Sequence, residues 1–352
     1  MNILLNSLIV TLYDLTRLRQ CNFCNCCCSF RNFFFLFMKY LCLNSLKRVF
    51  PYTGMITAFI SSVMNISNTL TKLLLPYVPA YFRKRIIRGR LPDLQTNLDD
   101  ITFCEACSIE EYMSCFRLLH DVYVKAGFIE PTSPPLRIIR HHSNPEARVF
   151  MGCLTDNQAG KTPIYTASLF PDDKQEGLPM DIGFKPQVDE LRSQGRRLVE
   201  VGCLASHPLY RKGNKHIPML GNRLLVSYAI NTICADDLLI TIHPKYLKIY
   251  EDILLFEKIG QISSFSYVNN NPAVALRVDL NTVAQRFKEI YGNMPKKKNL
   301  YHFFFESGST PIELPFEENE DEEKVKRYYG ADMIERVIAY SATGQILPLT
   351  SG

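Results

Sequence analysis

Between Ile101 and Asp279 strand and helix signals alternate in an order that few folds can accommodate: β, α, β-hairpin, β, α, β, α, β, β. That order predicts an α/β chain with a mixed sheet and helices on its faces. Ile101 to Cys107 reads as the first strand. Ser108 to Ala126 reads as a helix opened by a capping box, with Ser108 as N-cap and Glu111 three residues on. Its apolar positions Tyr112, Cys115, Phe116, Leu119, Val122 and Tyr123 recur at helical spacing. Arg148 to Thr155 and Pro163 to Phe170 predict an antiparallel hairpin around the polar stretch Asp156 to Gly160. Arg197 to Ala205 reads as a strand, Ile217 to Ala235 as a long helix and Leu238 to His243 as a strand. Pro244 to Phe256 follows as a helix, its first position held by a proline whose missing N–H costs nothing there. Two last strands, near Gly260 to Val268 and Ala273 to Asp279, are joined by Asn269-Asn270-Asn271-Pro272.

This alternation divides the 352 residues into three zones: 1–98, 99–280 and 281–352. The first is apolar and Cys-rich, with a helical stretch from Met55 to Phe82 leading into Arg83-Lys84-Arg85. It is expected to pack or to lie on a membrane surface, because Asn65, Asn68, Pro76 and Pro79 work against a spanning helix. It lacks a secretory signal pattern, and its composition also allows a start at Met38 or Met55. The third zone carries the run Lys296-Lys297-Lys298 and an acidic run from Glu317 to Glu323, both expected as solvated surface. A net charge of +5 is far below what a nucleic-acid binder of this length carries, and no recognition motif is present. Cys21 and Cys24 form a Cys-x-x-Cys without a second ligand pair, so no metal is expected. The scattered cysteines read as reduced thiols of a cytosolic protein.

Chemistry is expected at Glu200. A carboxylate between Val199 and Val201 on an apolar strand is costly to bury alone. It is either held for function, its pKa raised toward the range that deprotonates an amine, or turned to water, or paired with Arg196 or Arg197. The stretch Pro208 to His216 presents Arg211, Lys212 and Lys215 before a helix, where a phosphate is stabilised; a solvated basic turn looks the same in sequence. Tyr250 is placed to protonate a leaving thiolate or to pack, and His243 to act as a base or as a structural group. Asp172, Asp173 and Asp181 lie in a loop that either meets an amine-bearing substrate or makes turn contacts.

Several stretches together resemble a known family. LVEVGCLASHPLYRKG, SYAINTICADDLLITIHPKYLKIYEDILLFEKIG and SYVNNNPAVALRVDL are similar to the core of FeeM-type N-acyl amino acid synthases. YVKAGFIEP and LFPDDKQEGLPMDIGFKPQVDELRSQGRRLVEV match in order and spacing as well. The resemblance covers roughly Asp99 to Leu280 and implies a GNAT-like fold related to the LuxI-type autoinducer synthases. It implies transfer of a long acyl chain from acyl carrier protein, or from acyl-CoA, to an amino acid amine, with no permanently bound cofactor; the expected location, cytoplasmic or peripheral to the inner membrane, comes from the cysteines and the first zone instead. Glu200 then matches the strand glutamate that helps deprotonate the amine. Cys203, Leu204 and Ala205 fall on the splayed strand that polarises the thioester carbonyl. Arg211, Lys212, Gly213 and Asn214 fall at the pantetheine turn, and Asp172, Asp181 and Asn270 near the acceptor. Leu224, Leu225 and Ile230 are expected in an acyl channel or in the core, and Arg196 with Arg211, Lys212 and Lys215 in a basic patch for the acidic carrier. Two features depart from the pattern. The acetyl-CoA signature Arg/Gln-x-x-Gly-x-Gly is replaced by Arg-Lys-Gly-Asn-Lys, and His243 stands where an Asn is expected. The alternatives are a homoserine-lactone-type signal synthase and a silent GNAT-like module binding lipid or protein partners.

Overall fold

A computed structural model describes residues 80–91, 93–94, 101–154, 162–210, 217–307, 312–313 and 330–343. The chain divides into two compact units, Met1–Arg90 and Leu91–Gly352. In the first, the described part is helix α1 (Ala80–Gly89), which carries the basic cluster predicted to follow the apolar stretch. Cys21, Cys24 and most of Met55 to Phe82 lie outside the described residues. Among the described residues no helix is long and apolar enough to cross a membrane.

The second unit is built on one mixed sheet. Its first three strands are β1 (Ile101–Glu105), β2 (Arg148–Leu154) and β3 (Pro163–Pro171), followed by β4 (Leu198–Ser206) and β5 (Asp237–Ile242). The short β6 (Glu257–Lys258) and β7 (Ser263–Phe265) precede β8 (Asn271–Asp279), and β9 (Ile312–Glu313) completes it. Their order is β6-β8-β5-β4-β3-β2-β1-β9, with β7 on β8. Only β4–β5 and β1–β9 run parallel. The layout is the mixed sheet with helices on its faces that the alternation predicts.

Each face of the sheet is covered by helices whose apolar stripes the sequence encodes. On one face lie α2 (Ile109–Lys125) and α3 (Asp181–Ser193). The Ser108–Glu111 capping box opens α2 as predicted, and Tyr112, Cys115, Phe116, Leu119 and Val122 are buried beneath it. On the other face lie α4 (Ile217–Asn231) and α6 (Leu280–Tyr291), whose Leu220, Leu224, Val283 and Phe287 pack on Tyr165, Leu169, Val199 and Val278. The predicted helix from Pro244 begins as a 3-10 turn at Pro244–Tyr246 and continues as the short α5 (Leu247–Asp252).

Two features depart from the sequence reading. Helix α3 carries Gly183 and Pro186, helix-breaking residues that hide it in the sequence. It tolerates them because it is two helical pieces joined at Phe184, with φ −139° and ψ 24°, so Pro186 sits near the start of the second piece. Past Leu280 the core continues. Helix α6 buries Phe287 and Tyr291, β9 extends the sheet edge, and α7 (Ala331–Thr343) buries Met333, Ile334 and Val337 in the cluster that holds α2. The acidic run lies outside the described residues.

Candidate active site

Strands β4 and β5 pair over four residues, Leu198–Val201 with Asp237–Ile240, and then part. Beyond that point β4 is bonded to β3 and β5 to β8, so a seam opens between them. Glu200 sits one rung before the opening and is 2% exposed. Neither Arg196 nor Arg197 reaches it. Oε2 accepts the Met180 backbone N–H at 2.8 Å, and Oε1 accepts the Thr241 hydroxyl at 3.3 Å. Burial pushes its carboxyl up to about 8, outweighing those two hydrogen bonds, which favour the ionised form; Asp181 adds to the rise.

Just past Glu200 the β3–β4 register slips. Ser168 faces Gly202 and Thr166 faces Ala205, so Cys203 and Leu204 together oppose one residue. This is a β-bulge, and Cys203 holds φ +51°, a left-handed conformation that a non-glycine residue adopts only under constraint. The bulge turns this stretch of backbone out of the ladder, at the mouth of the seam. Burial pushes the Cys203 thiol up to about 12, so a thiolate nucleophile is not prepared there. On the α4 and α6 face, behind the seam, lies an apolar cavity. Val201 and Leu204 of β4, Ile240 of β5, Leu225 of α4 and Tyr250 of α5 line it. Alternation along β4 therefore puts the carboxylate on one face of the sheet and the cavity on the other, with the parted strands between them.

Residues 114–279 match the family model of FeeM, N-acyl amino acid synthase. This stretch is similar to the FeeM-type N-acyl amino acid synthases. Among solved structures, FeeM from uncultured soil microbes is 24% identical, covers 53% of this chain and 93% of its own, and superposes with a TM-score of 0.45. BjaI, a CoA-dependent acyl-homoserine lactone synthase solved with SAM and isopentyl-CoA, is 12% identical over 68% of this chain and 99% of its own, with a TM-score of 0.42. The acyl-homoserine lactone synthase LasI is 14% identical over 55% and 94%, with a TM-score of 0.38. No curated protein matches in sequence.

Within the matched stretch, Tyr250 lines the cavity. Its ring packs edge-on against Phe256 at 5.5 Å, and burial raises its pKa. Three of the sites singled out in the sequence have partners within the protein. His243 uses Nδ1 to accept the Lys245 N–H at 3.1 Å, capping the 3-10 turn, and that nitrogen is not free to act as a base. Asp172 and Asp181 are gripped by Arg192 of α3, with Nε and Nη2 on Asp172 and Nη1 and Nη2 on Asp181, all between 2.7 and 3.0 Å. Arg196 leaves the expected basic patch for an ion pair with Asp237, which is fully buried, and with Asp279. Asn270 lies in an exposed turn beside Asn269, both with positive φ, and takes a hydrogen bond from Ser264 Oγ. Arg211, Lys212, Gly213, Asn214 and Lys215 lie outside the described residues.

Sequence reasoning passed over the segment Arg137 to His142. Arg137 donates to the Tyr267 carbonyl at 2.6 Å and lies over the Tyr267 ring, and its buried Nε has no hydrogen-bond partner. The side chains of Tyr267 and Cys203 pack in one cluster with Phe170, which pairs with Glu200 across β3 and β4. His142 is structural. Its Nδ1 accepts the Ile139 N–H, so the proton lies on Nε2, toward Ser168 Oγ, and burial lowers its pKa to about 3. The only signal for Arg137 was a cation in an apolar run, LRIIR, without an acidic neighbour.

Proposed function

We propose that the matched domain transfers an acyl group from the thioester of an acyl carrier protein to the amine of an amino acid. One observation carries this reading. A buried carboxylate with a raised pKa and an apolar cavity flank the same opening between β4 and β5. The thioester lies in the opening, its chain in the cavity. Glu200 takes one proton from the incoming ammonium; a carboxyl near 8 is well matched to that transfer near neutral pH. The freed amine attacks the carbonyl carbon, and the negative oxygen is stabilised by backbone N–H groups of the Cys203–Leu204 bulge. As the C–S bond breaks, the nitrogen passes its second proton to water, which restores the proton that Tyr250 gives up, and Glu200 releases the first to solvent. The sulfur gains one from Tyr250, leaving as thiol, and no acyl-enzyme forms. Fixing both reactants in the seam supplies much of the rate.

An amino acid is favoured over an acceptor without a carboxylate by Arg137. Its guanidinium lies over the ring of Tyr267, which clusters with Cys203 beside the opening, and has no ion-pair partner among the described residues. A carboxylate placed there satisfies it. A carrier-protein donor is supported by the missing acetyl-CoA signature and the basic stretch from Arg211 to Lys215.

The test is purified full-length protein with acyl carrier protein and CoA thioesters and mixed amino acids, read by thiol release and by mass spectrometry of products. Glu200→Gln is expected to lower kcat/KM by about 10²-fold or more. Equal release by the variant removes Glu200 from the mechanism. Products from S-adenosylmethionine alone indicate the lactone-type synthase, and no release at any chain length indicates a silent module.

A further inference from the structure

The cavity behind the seam is not closed by the family-matched domain. That match ends at residue 279, whereas Val283, Phe287, Phe304 and Phe305 all line the cavity. The last two stand on a single turn of π-helix, His302–Glu306, in the sequence HFFFE. Ser307 N–H reaches back to the His302 carbonyl at 2.8 Å, the wider i to i−5 closure. In an α-helix consecutive side chains diverge by about 100°. Here Phe304 and Phe305 both approach Phe287, each edge-on at 5.6 Å. π-turns are uncommon and concentrate at functional sites, because the extra residue re-aims side chains at a cost in packing.

This turn bridges the two helices that wall the cavity. Toward α6 it is held by the Phe287 contacts. Toward α4 it is held by Arg223, whose Nη1 donates to Ser307 Oγ at 2.9 Å and to the Phe303 carbonyl, and whose guanidinium lies 5.0 Å from the Phe303 ring centre. Arg223 is 6% exposed, so a buried cation is spent on fixing this cover. The space beneath is small. Counted as the room that water centres can occupy, it is about 60 Å³. That holds about five waters, and thus about five methylene groups.

Building on the acyl-transfer reading, we propose that the π-turn is the cover of the acyl site and that Phe304 and Phe305 set the length of the chain it accepts. Chains longer than about six carbons reach the two rings and bind only by displacing them. Arg223 is a positioning residue, acting through the turn it anchors.

The test uses two readouts on the full-length protein. One is displacement of a fluorescent fatty acid by saturated fatty acids of four to sixteen carbons, which requires no turnover. The other is kcat/KM across the same acyl thioesters. Phe304→Ala and Phe305→Ala are expected to move the preference toward longer chains, by at least about tenfold in the long-to-short ratio, since each methylene newly housed is worth about fourfold. Val283→Phe, which fills the same space, is expected to move it toward shorter chains. Arg223→Gln is expected to blur the length preference with less effect on the best chain. If the alanine variants do not fold, Phe304→Leu and Phe305→Leu carry the test, with a shift of the same sign. Unchanged length profiles in folded variants overturn the cover. A length cut-off in binding that moves with these variants, without thiol release by any protein, keeps the cover and removes acyl transfer.

Discussion

Thr241 Oγ1 reaches Glu200 Oε1 at 3.3 Å across the point where β4 and β5 part, so a contact that spans the seam favours the ionised carboxylate. Burial raises the Glu200 carboxyl to about 8, the Met180 and Thr241 donors oppose that rise, and Asp181 assists it. Acyl transfer requires the ionised form, so kcat/KM is expected to climb with pH and level off above about 8. Thr241→Val removes a hydrogen bond to the charged form and is expected to move that midpoint up by about one unit. Asp181→Asn removes a negative neighbour and is expected to move it down. A pH–rate profile of the three proteins decides; a limb that stays in place in both variants belongs to another group.

The same raised pKa has a consequence for stability, of definite sign. From the ordinary value of 4.5 up to about 8 the unfolded chain has lost the Glu200 proton while the folded chain keeps it. Folding then binds a proton, so the group's contribution is complete below 4.5 and disappears as pH rises through 8. Glu200→Gln keeps the shape and carries no such linkage. Its amide oxygen can accept from Met180 and its NH2 can donate to Thr241. The variant is expected to melt close to wild type at pH 4.5 and several degrees above it at pH 8.5, for a difference on the order of a few kcal/mol. Thermal melts at both pH values measure this, and a variant less stable than wild type at pH 8.5 contradicts the buried ionised carboxylate.

Cys203 separates two roles that a cysteine at an acyl-transfer site can have. Its φ of +51° suits glycine, and its thiol is pushed up to about 12. Cys203→Gly is therefore expected to keep the bulge and most of the activity. Cys203→Val, β-branched in a left-handed conformation, is expected to lose about 1–3 kcal/mol and most of the turnover as the bulge amides are re-aimed. Urea titration and thiol release on the two variants check both statements. Loss of all activity in the glycine variant, with the fold intact, points instead to an acyl-cysteine.

How far the sequence was readable follows from which physical signals are local. The Ser108–Glu111 box and the α2 stripe depend on neighbours within a few residues, and each stands in the structure as the pattern predicts; for Glu200 the pattern left burial, exposure and ion pairing open, and the structure buries it. The parting of β4 from β5 does not, because it is set by which third strand each one joins. Helix α3 escaped notice because Pro186 reads as a breaker until the kink at Phe184 is seen. Asp172 and Asp181 looked available because Arg192, which holds both, lies 20 and 11 residues away. Arg137 was invisible for the opposite reason, since its meaning lies in a partner it lacks at Nε.

Gly221, in the interior of α4, gives a last case in which two effects of opposite sign compete. Alanine in place of a helix-interior glycine ordinarily gains about 1 kcal/mol through backbone entropy and propensity. Here a Cβ would stand 2.2 Å from Tyr165 Cζ and 2.6 Å from its hydroxyl oxygen. Tyr165 is fully buried on β3, under α4, so neither ring nor helix can yield freely. Overpacking of this kind costs about 1–3 kcal/mol or more, which exceeds the helix gain. Gly221→Ala is expected to lower stability, and by lifting α4 to disturb the wall that contributes Leu225 to the cavity. Tyr165→Leu removes the obstructing ring, so the double variant is expected to be more stable than the two single losses add up to. Denaturant titration of the four proteins closes that cycle. A Gly221→Ala variant as stable as wild type contradicts the close packing of α4 on β3.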